Sequence, residues 1–169
     1  GKGELAFVRP IHWVTCFYGA DLIRFHLGDL NVGPTTEGHR ILTGSKEISL
    51  SLGRSGWLTS YRQALKSAHV MVDAAERKAM IRQQIKTVGK GAFIVDEGLL
   101  KEVTHLVEEP FVIQAAYEPI FWETLPHEVL YTVLQSQQRC FPSSKNNHFL
   151  VVVDGKRTLF GEIRECNER

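Results

Sequence analysis

The spacing of apolar residues changes near Ser60. Before it, Ile48-Ser49-Leu50-Ser51-Leu52 alternates strictly, the period of a strand with one buried face. After it, Tyr61, Leu65, Ala68, Val72, Ala75 and Ala79 recur at steps of three and four, the period of an amphipathic helix. Ser60 suits the N-cap. The pattern runs on through Ile81, Ile85 and Val88 and stops at Gly89 and Gly91. Strands first, then one long helix, then mixed short elements predict an α+β fold rather than a regular βαβ array. The expected architecture is a mixed or antiparallel sheet with packed helices. Its strands come mainly from residues before Leu52, and the helix Tyr61 to Val88 lies across it. At 169 residues the chain suits one domain, 1–169, with a core of its own.

Within that frame, Leu5 to Val8 and Ile11 to Tyr18 read as strand, kink and strand, with Pro10 unable to donate to a ladder. Gly19-Ala20-Asp21 is a turn, and Leu22 to Leu27 is the returning strand of a hairpin. Gly28 to Gly38 reads as loop, and Arg40-Ile41-Leu42 as a short strand. Ala92 to Val95 is a further short strand. Asp96 caps a helix with Leu99, Leu100, Val103, Leu106 and Val107 on its apolar side, ended by Pro110. Phe111 to Tyr117 is a strand. Thr124 is the next helix cap, with Pro126 in the first turn and Val129, Leu130, Val133, Leu134 and Gln137 in helical period. Phe141 to Asn147 reads as loop. Phe149 to Val153 and Thr158 to Phe160 make a hairpin candidate.

The densest polar stretch is Thr35-Thr36-Glu37-Gly38-His39-Arg40, entered through Gly33-Pro34. Gly38 allows close backbone approach, and Arg40 offers a planar fork of donors for a carboxylate or phosphate. Two readings are open. In one, Thr35, Thr36, Glu37, His39 and Arg40 form a polar junction pinning two elements, with Arg40 its main donor. In the other they face a ligand. The junction is favoured because hydrolysis needs a positioned base, a carbonyl-polarising group and a third orienting group, and the sequence supplies no such third group. The long helix carries Arg62, Lys66, Arg77, Lys78, Arg82, Lys86 and Lys90 against Asp73 and Glu76. This is either a solvated face or a phosphate-tracking stripe, for which Arg77, Lys78, Arg82 and Lys86 are the RNA-binding candidates.

The remaining chemistry is sparse. The chain has no phosphate-binding glycine loop ending in Lys-Ser/Thr, no nucleophile elbow and no zinc spacing. No two of the seven histidines stand four apart, so neither a catalytic set nor a metal site is expected. His12 and His105 have apolar neighbours and read as core or boundary residues. The three cysteines, Cys16, Cys140 and Cys166, are widely separated, which fits a reducing compartment. A net charge of +1 advertises no global field for nucleic acid or membrane. The hydrophobic fraction of 43% is that of a soluble globular protein, and no apolar run reaches the roughly 18 residues of a membrane span.

Four blocks, in order, carry a resemblance. Phe7-Val8-Arg9-Pro10-Ile11-His12-Trp13-Val14 is the first and Thr35 to Arg40 the second. Leu99-Leu100-Lys101-Glu102-Val103-Thr104-His105-Leu106-Val107-Glu108-Glu109-Pro110 is the third. Leu125-Pro126-His127-Glu128-Val129-Leu130 with Gln138-Arg139-Cys140-Phe141 is the fourth. Together they resemble the glycyl-tRNA synthetase beta subunits of the bacterial two-subunit type. The chain departs from the family pattern at Gln137, where a histidine is usual, and at Cys140, where a tyrosine is usual. Asn167-Glu168-Arg169 resembles the opening of a longer motif, so the chain reads as a fragment, the helical and anticodon-binding parts lying outside it.

The resemblance implies the rest. The fold is expected to be like the editing-type domain of the phenylalanyl-tRNA synthetase beta subunit. ATP-dependent activation of glycine is expected in a partner alpha subunit, the beta subunit supplying recognition of tRNA(Gly). This fragment is expected to hold no cofactor, to be non-catalytic alone, to be cytoplasmic and to contact no membrane. Three roles compete: a tRNA-contacting or scaffolding module, a hydrolytic editing site using Thr35, Thr36, His39 and Arg40, and a domain binding a phosphorylated or acidic ligand.

Overall fold

A computed structural model describes residues 11–44, 46–50 and 56–155. The expected strand Leu5 to Val8, the second arm Thr158 to Phe160, Cys166 and the closing Asn167-Glu168-Arg169 lie outside the described residues. The chain gathers into two compact units, Gly1–Val70 and Met71–Arg169. The α+β class expected from the sequence holds, with helices accompanying small antiparallel sheets.

In the first unit the strands are short. β1 (Phe17–Tyr18) pairs with β2 (Asp21–Leu22), and β3 (His26–Leu27) with β4 (Leu30–Asn31). The second hairpin turns at Gly28, whose φ of +59° is one that only glycine adopts without strain at that corner. It lies where the sequence reads as loop. β5 (Thr35–Glu37) pairs with β6 (Glu47–Ser49). Between them runs α1 (Arg40–Thr43), a single helical turn where a strand is expected. The His39 side chain, at the N-cap, accepts from the Ile41 and Leu42 amides and so fixes helical geometry on a β-branched sequence. α2 (Trp57–Ser67) closes the unit and buries Leu65.

The expected helix from Tyr61 to Val88 is two helices. The break is a Schellman closure: the Val70 amide donates to the Leu65 carbonyl and the His69 amide to that of Lys66, with His69 left-handed at φ +61°. Asp73 then starts α3 (Ala74–Gly89), its carboxylate accepting from the Ala75 and Glu76 amides. The apolar steps run across the break unaltered, but the capping groups decide. Leu65 is buried as expected, whereas Val72, in the break, is 38% exposed.

The expected sheet before Leu52 is also corrected. The largest sheet among the described residues lies in the second unit, with order β7-β9-β8: β7 (Pro110–Ala116), β9 (His148–Asp154) and β8 (Cys140–Pro142). Pro110 opens β7 rather than ending α4 (Glu97–Thr104). β8 occupies the start of the expected loop after Cys140, and it pairs with β9. Val112 lies opposite Val152, and Leu150 opposite Phe141, on one face of the sheet. α3 and α4 cover that face with Ile81, Ile85, Leu99, Leu100 and Val103. Phe141, Leu100, Ile81 and Leu150 are fully excluded from solvent. At about 1.5–3 kcal/mol for each large apolar side chain buried, this cluster is the main stabilising mass of the unit.

Two smaller helices follow β7. α5 (Pro119–Thr124) ends at Thr124, which therefore closes a helix instead of capping one. α6 (His127–Thr132) is preceded by Pro126 and continues into a π turn, Val133–Gln137. Leu130 and Leu134 point inward from this stretch.

Candidate functional site

The Thr35–Arg40 stretch belongs to the first unit, and several of its backbone groups and two of its side chains, Thr36 and His39, bond to neighbours. The Thr15 hydroxyl donates to the Thr35 carbonyl at 2.7 Å, and the Trp13 indole donates to the Thr36 hydroxyl at 3.2 Å. Glu37 stands opposite Glu47 in the ladder. The Gly38 amide donates to the Lys46 carbonyl, and the His39 amide to the Ala68 carbonyl at 2.9 Å. This last bond ties the start of α1 to the end of α2. A Cβ at Gly38 would stand 2.8 Å from the Ala68 methyl and 2.8 Å from the Thr43 hydroxyl, so close approach is what the glycine provides.

His39 is 1% exposed. Its Nδ1 accepts from Ile41 at 3.2 Å and from Leu42 at 3.3 Å, so that nitrogen carries a lone pair and the ring proton is on Nε2. Its carbonyl accepts from both the Thr43 amide and the Thr43 hydroxyl. Arg40, expected to be the main donor, is exposed instead. It is the first residue of α1, where the chain turns its side chain outward, and among the described residues its guanidinium makes no hydrogen bond or ion pair. The fork of donors and the imidazole are thus adjacent in sequence and separated in environment.

The basic residues of α3 divide in the same way. Arg77 is turned inward: its Nε donates to the Thr104 carbonyl at 3.1 Å and its Nη1 to the carbonyls of Met71 and Val72. It closes the C-terminal carbonyls of α4 onto the start of α3, a favourable place for a cation. Arg82 grips the Glu97 carboxylate with Nη2 at 2.6 and 2.8 Å, and the Lys78 ammonium reaches the same carboxylate at 3.1 Å. Glu97 is held below the ordinary carboxylate range, first by the Lys78 hydrogen bond and then by the charges of Arg82 and Lys78, against a partial desolvation. Lys86 is exposed and, among the described residues, has no carboxylate partner.

Several organising side chains escaped the sequence reading. The Gln84 amide lies along the edge of β7, its Nε2 donating to the Pro110 carbonyl at 3.0 Å and its Oε1 accepting from the Val112 amide at 2.7 Å. Glu102 and Arg139 form an ion pair that joins α4 to the residue before β8, where Arg139 is left-handed at φ +52°. Asp154 accepts from the Glu108 and Glu109 amides at 2.8 Å each. None of these pairs has a telling sequence spacing, since each joins residues from separate elements.

The pair Glu102–Arg139 also connects two of the sequence blocks, Leu99 to Pro110 and Gln138 to Phe141, and the same blocks meet in the core at Leu100 and Phe141. A sequence model of the glycyl-tRNA synthetase beta subunit matches residues 1–169. The chain belongs to this family. The glycine–tRNA ligase beta subunit of Bacillus subtilis (strain 168) is 34% identical over 177 residues, covering 100% of this chain and 25% of that relative. That of Lactobacillus gasseri is 34% identical over 176 residues, 99% of this chain and 24% of the relative. That of Shouchella clausii is 33% identical over 174 residues, again covering 24% of the relative. The chain therefore spans about a quarter of the length of these glycine–tRNA ligase beta subunits. No helix among the described residues is long and apolar enough to cross a membrane.

Proposed function

We propose that this chain is a non-catalytic module of a glycyl-tRNA synthetase beta subunit, contacting or scaffolding tRNA(Gly) while an alpha subunit attaches glycine at the expense of ATP. The holoenzyme is a glycine–tRNA ligase in the cytoplasm, and the chain's partners are the alpha subunit and tRNA(Gly). The module itself holds no cofactor. Its α+β architecture is read as akin to the editing-type domain of the phenylalanyl-tRNA synthetase beta subunit, with the hydrolytic use of such a fold set aside.

The observation that carries this reading is the state of His39. A hydrolytic base must offer a lone pair to water or to the scissile ester within about 2.6–3.2 Å of the proton it takes. Here the Nδ1 lone pair serves two backbone amides, in a side chain sealed from solvent, and Arg40 stands outside. The Thr35 carbonyl and the Thr36 hydroxyl accept from Thr15 and Trp13, which ties residues 13–15 to β5. The cluster is read as the junction that orders the first unit.

The test uses the alpha–beta holoenzyme carrying His39→Asn, which supplies a capping acceptor in place of Nδ1, and His39→Ala, which supplies none. The Ala variant is expected to melt at lower temperature and the Asn variant to recover part of the loss. Hydrolysis of mischarged tRNA, measured in parallel, is expected to stay at the wild-type level for both. A fall in hydrolysis with an unchanged melting temperature identifies an editing site and overturns the reading.

A further inference from the structure

Lys78, Arg82, Lys86 and Lys90 follow one another at steps of four, which lines them along one side of α3 and past its end. Glu97 divides that row. It holds Lys78 and Arg82, so two cations and one carboxylate leave a small residual charge at the N-terminal half. At the other end Lys86 and Lys90 are exposed and unpaired among the described residues. A third lysine is brought close along the chain by the fold. The Ser144 amide and hydroxyl both donate to the Ala92 carbonyl, at 2.9 and 3.2 Å, which sets the exposed Lys145 beside the chain two residues after Lys90. The C-terminal dipole of α3 opposes an anion with a partial charge of about −0.5, against three full positive charges. At physiological ionic strength screening acts over about 8 Å, so this local balance matters more than the net charge of the chain.

We propose that Lys86, Lys90 and Lys145, at the C-terminal end of α3, contact the phosphate backbone of RNA, and that Glu97 sets the upstream limit of this surface by withholding Lys78 and Arg82. The proposal rests on the tRNA-contacting reading above and moves the surface along the helix from Arg77, whose donors are used inside the fold. All three residues are lysines, which meet phosphates as compact point charges. The contact is therefore indifferent to base sequence and serves to position the RNA.

The experiment measures tRNA(Gly) binding by the alpha–beta holoenzyme across a range of salt concentrations. The variants are the triple Lys86→Gln/Lys90→Gln/Lys145→Gln, the single Lys78→Gln, and Glu97→Gln. The triple variant is expected to lower affinity and flatten the salt slope by about 2, at ~0.7 for each single-strand phosphate that is no longer neutralised. Lys78→Gln is expected to leave the slope unchanged. Glu97→Gln, which frees two cations, is expected to steepen it. A triple variant with wild-type slope overturns the proposal and makes the row a solvated helix face. So does a triple variant whose defect is in alpha–beta association, read by sedimentation, because the surface is then a protein interface. Crosslinking of tRNA to the wild-type holoenzyme separates the two levels of argument. Crosslinks elsewhere in the chain than residues 86–92 and 145 remove this surface and keep the tRNA-contacting module. Crosslinks absent from the whole chain remove both.

Discussion

Gly38 packs its backbone against Ala68 and Thr43, and the space for a methyl group is missing. Because the neighbours include the Ala68 carbonyl at 3.1 Å, backbone has to give way. Gly38→Ala is expected to destabilise the chain by about 1–3 kcal/mol in urea unfolding. Cys140 makes a second residue-level case. Burial pushes its thiol up to about 11, and the Sγ donates to the Gln138 carbonyl at 3.2 Å. It is therefore a packing residue, and nucleophilic thiolate is scarce at neutral pH. Iodoacetamide at pH 8, followed by mass spectrometry, is expected to leave Cys140 unmodified in the folded chain and to label it rapidly in urea. Of the polar cluster, Gly38's close approach is legible in the sequence, because a glycine there lets the backbone come near a partner. The place of Arg40 is not, because the capping that turns it outward depends on where the preceding imidazole finds its donors.

At the scale of elements, the division of the long apolar row into α2 and α3 shows what periodicity omits. A helical period states which side of a helix is buried, and it is blind to a left-handed residue between two turns. Asp73 is the visible clue, being an N-cap type in the middle of the row. Asp73→Ala is expected to cost about 0.5–2 kcal/mol. Leu65→Ala is expected to cost about 2–5 kcal/mol, whereas Val72→Ala, at an exposed site in the break, is expected to stay within about 0.5 kcal/mol of wild type. The Glu97 pair is sensitive to acid in a defined direction. A carboxyl depressed in the folded state stabilises above its unfolded pKa, about 4.3, and that contribution disappears as pH falls through the lower folded value. The melting-temperature gap between wild type and Glu97→Gln is thus expected to be present at pH 7 and to close below about pH 4.

Across the whole molecule, apolar burial is unevenly shared. Among the described residues of the first unit, Val32, Leu50 and Leu65 are the buried apolar side chains, while the second unit assembles a continuous cluster from α3, α4 and three strands. The early residues suggest a sheet because β-branched and aromatic side chains are dense there. Among the described residues, β1 to β4 form two-residue hairpins instead, since turns at Gly19 and Gly28 return the chain before a longer ladder can build. The order of the second sheet is hidden for another reason: β7 and β9 are separated by two helices, and nothing in a linear pattern states which strands meet. Hydrogen exchange is expected to follow burial, fast at the β1–β4 hairpins and slow through α3, β7 and β9. Gln84 gives this sheet one more property. Its side-chain amide presents to Pro110 and Val112 the donor and acceptor that a neighbouring strand would present. A side chain thus occupies the place where a second polypeptide could dock in register, and Gln84→Ala is expected to show itself first as self-association at high concentration, a fault of colloidal behaviour and of crowded synthesis before it is one of folding.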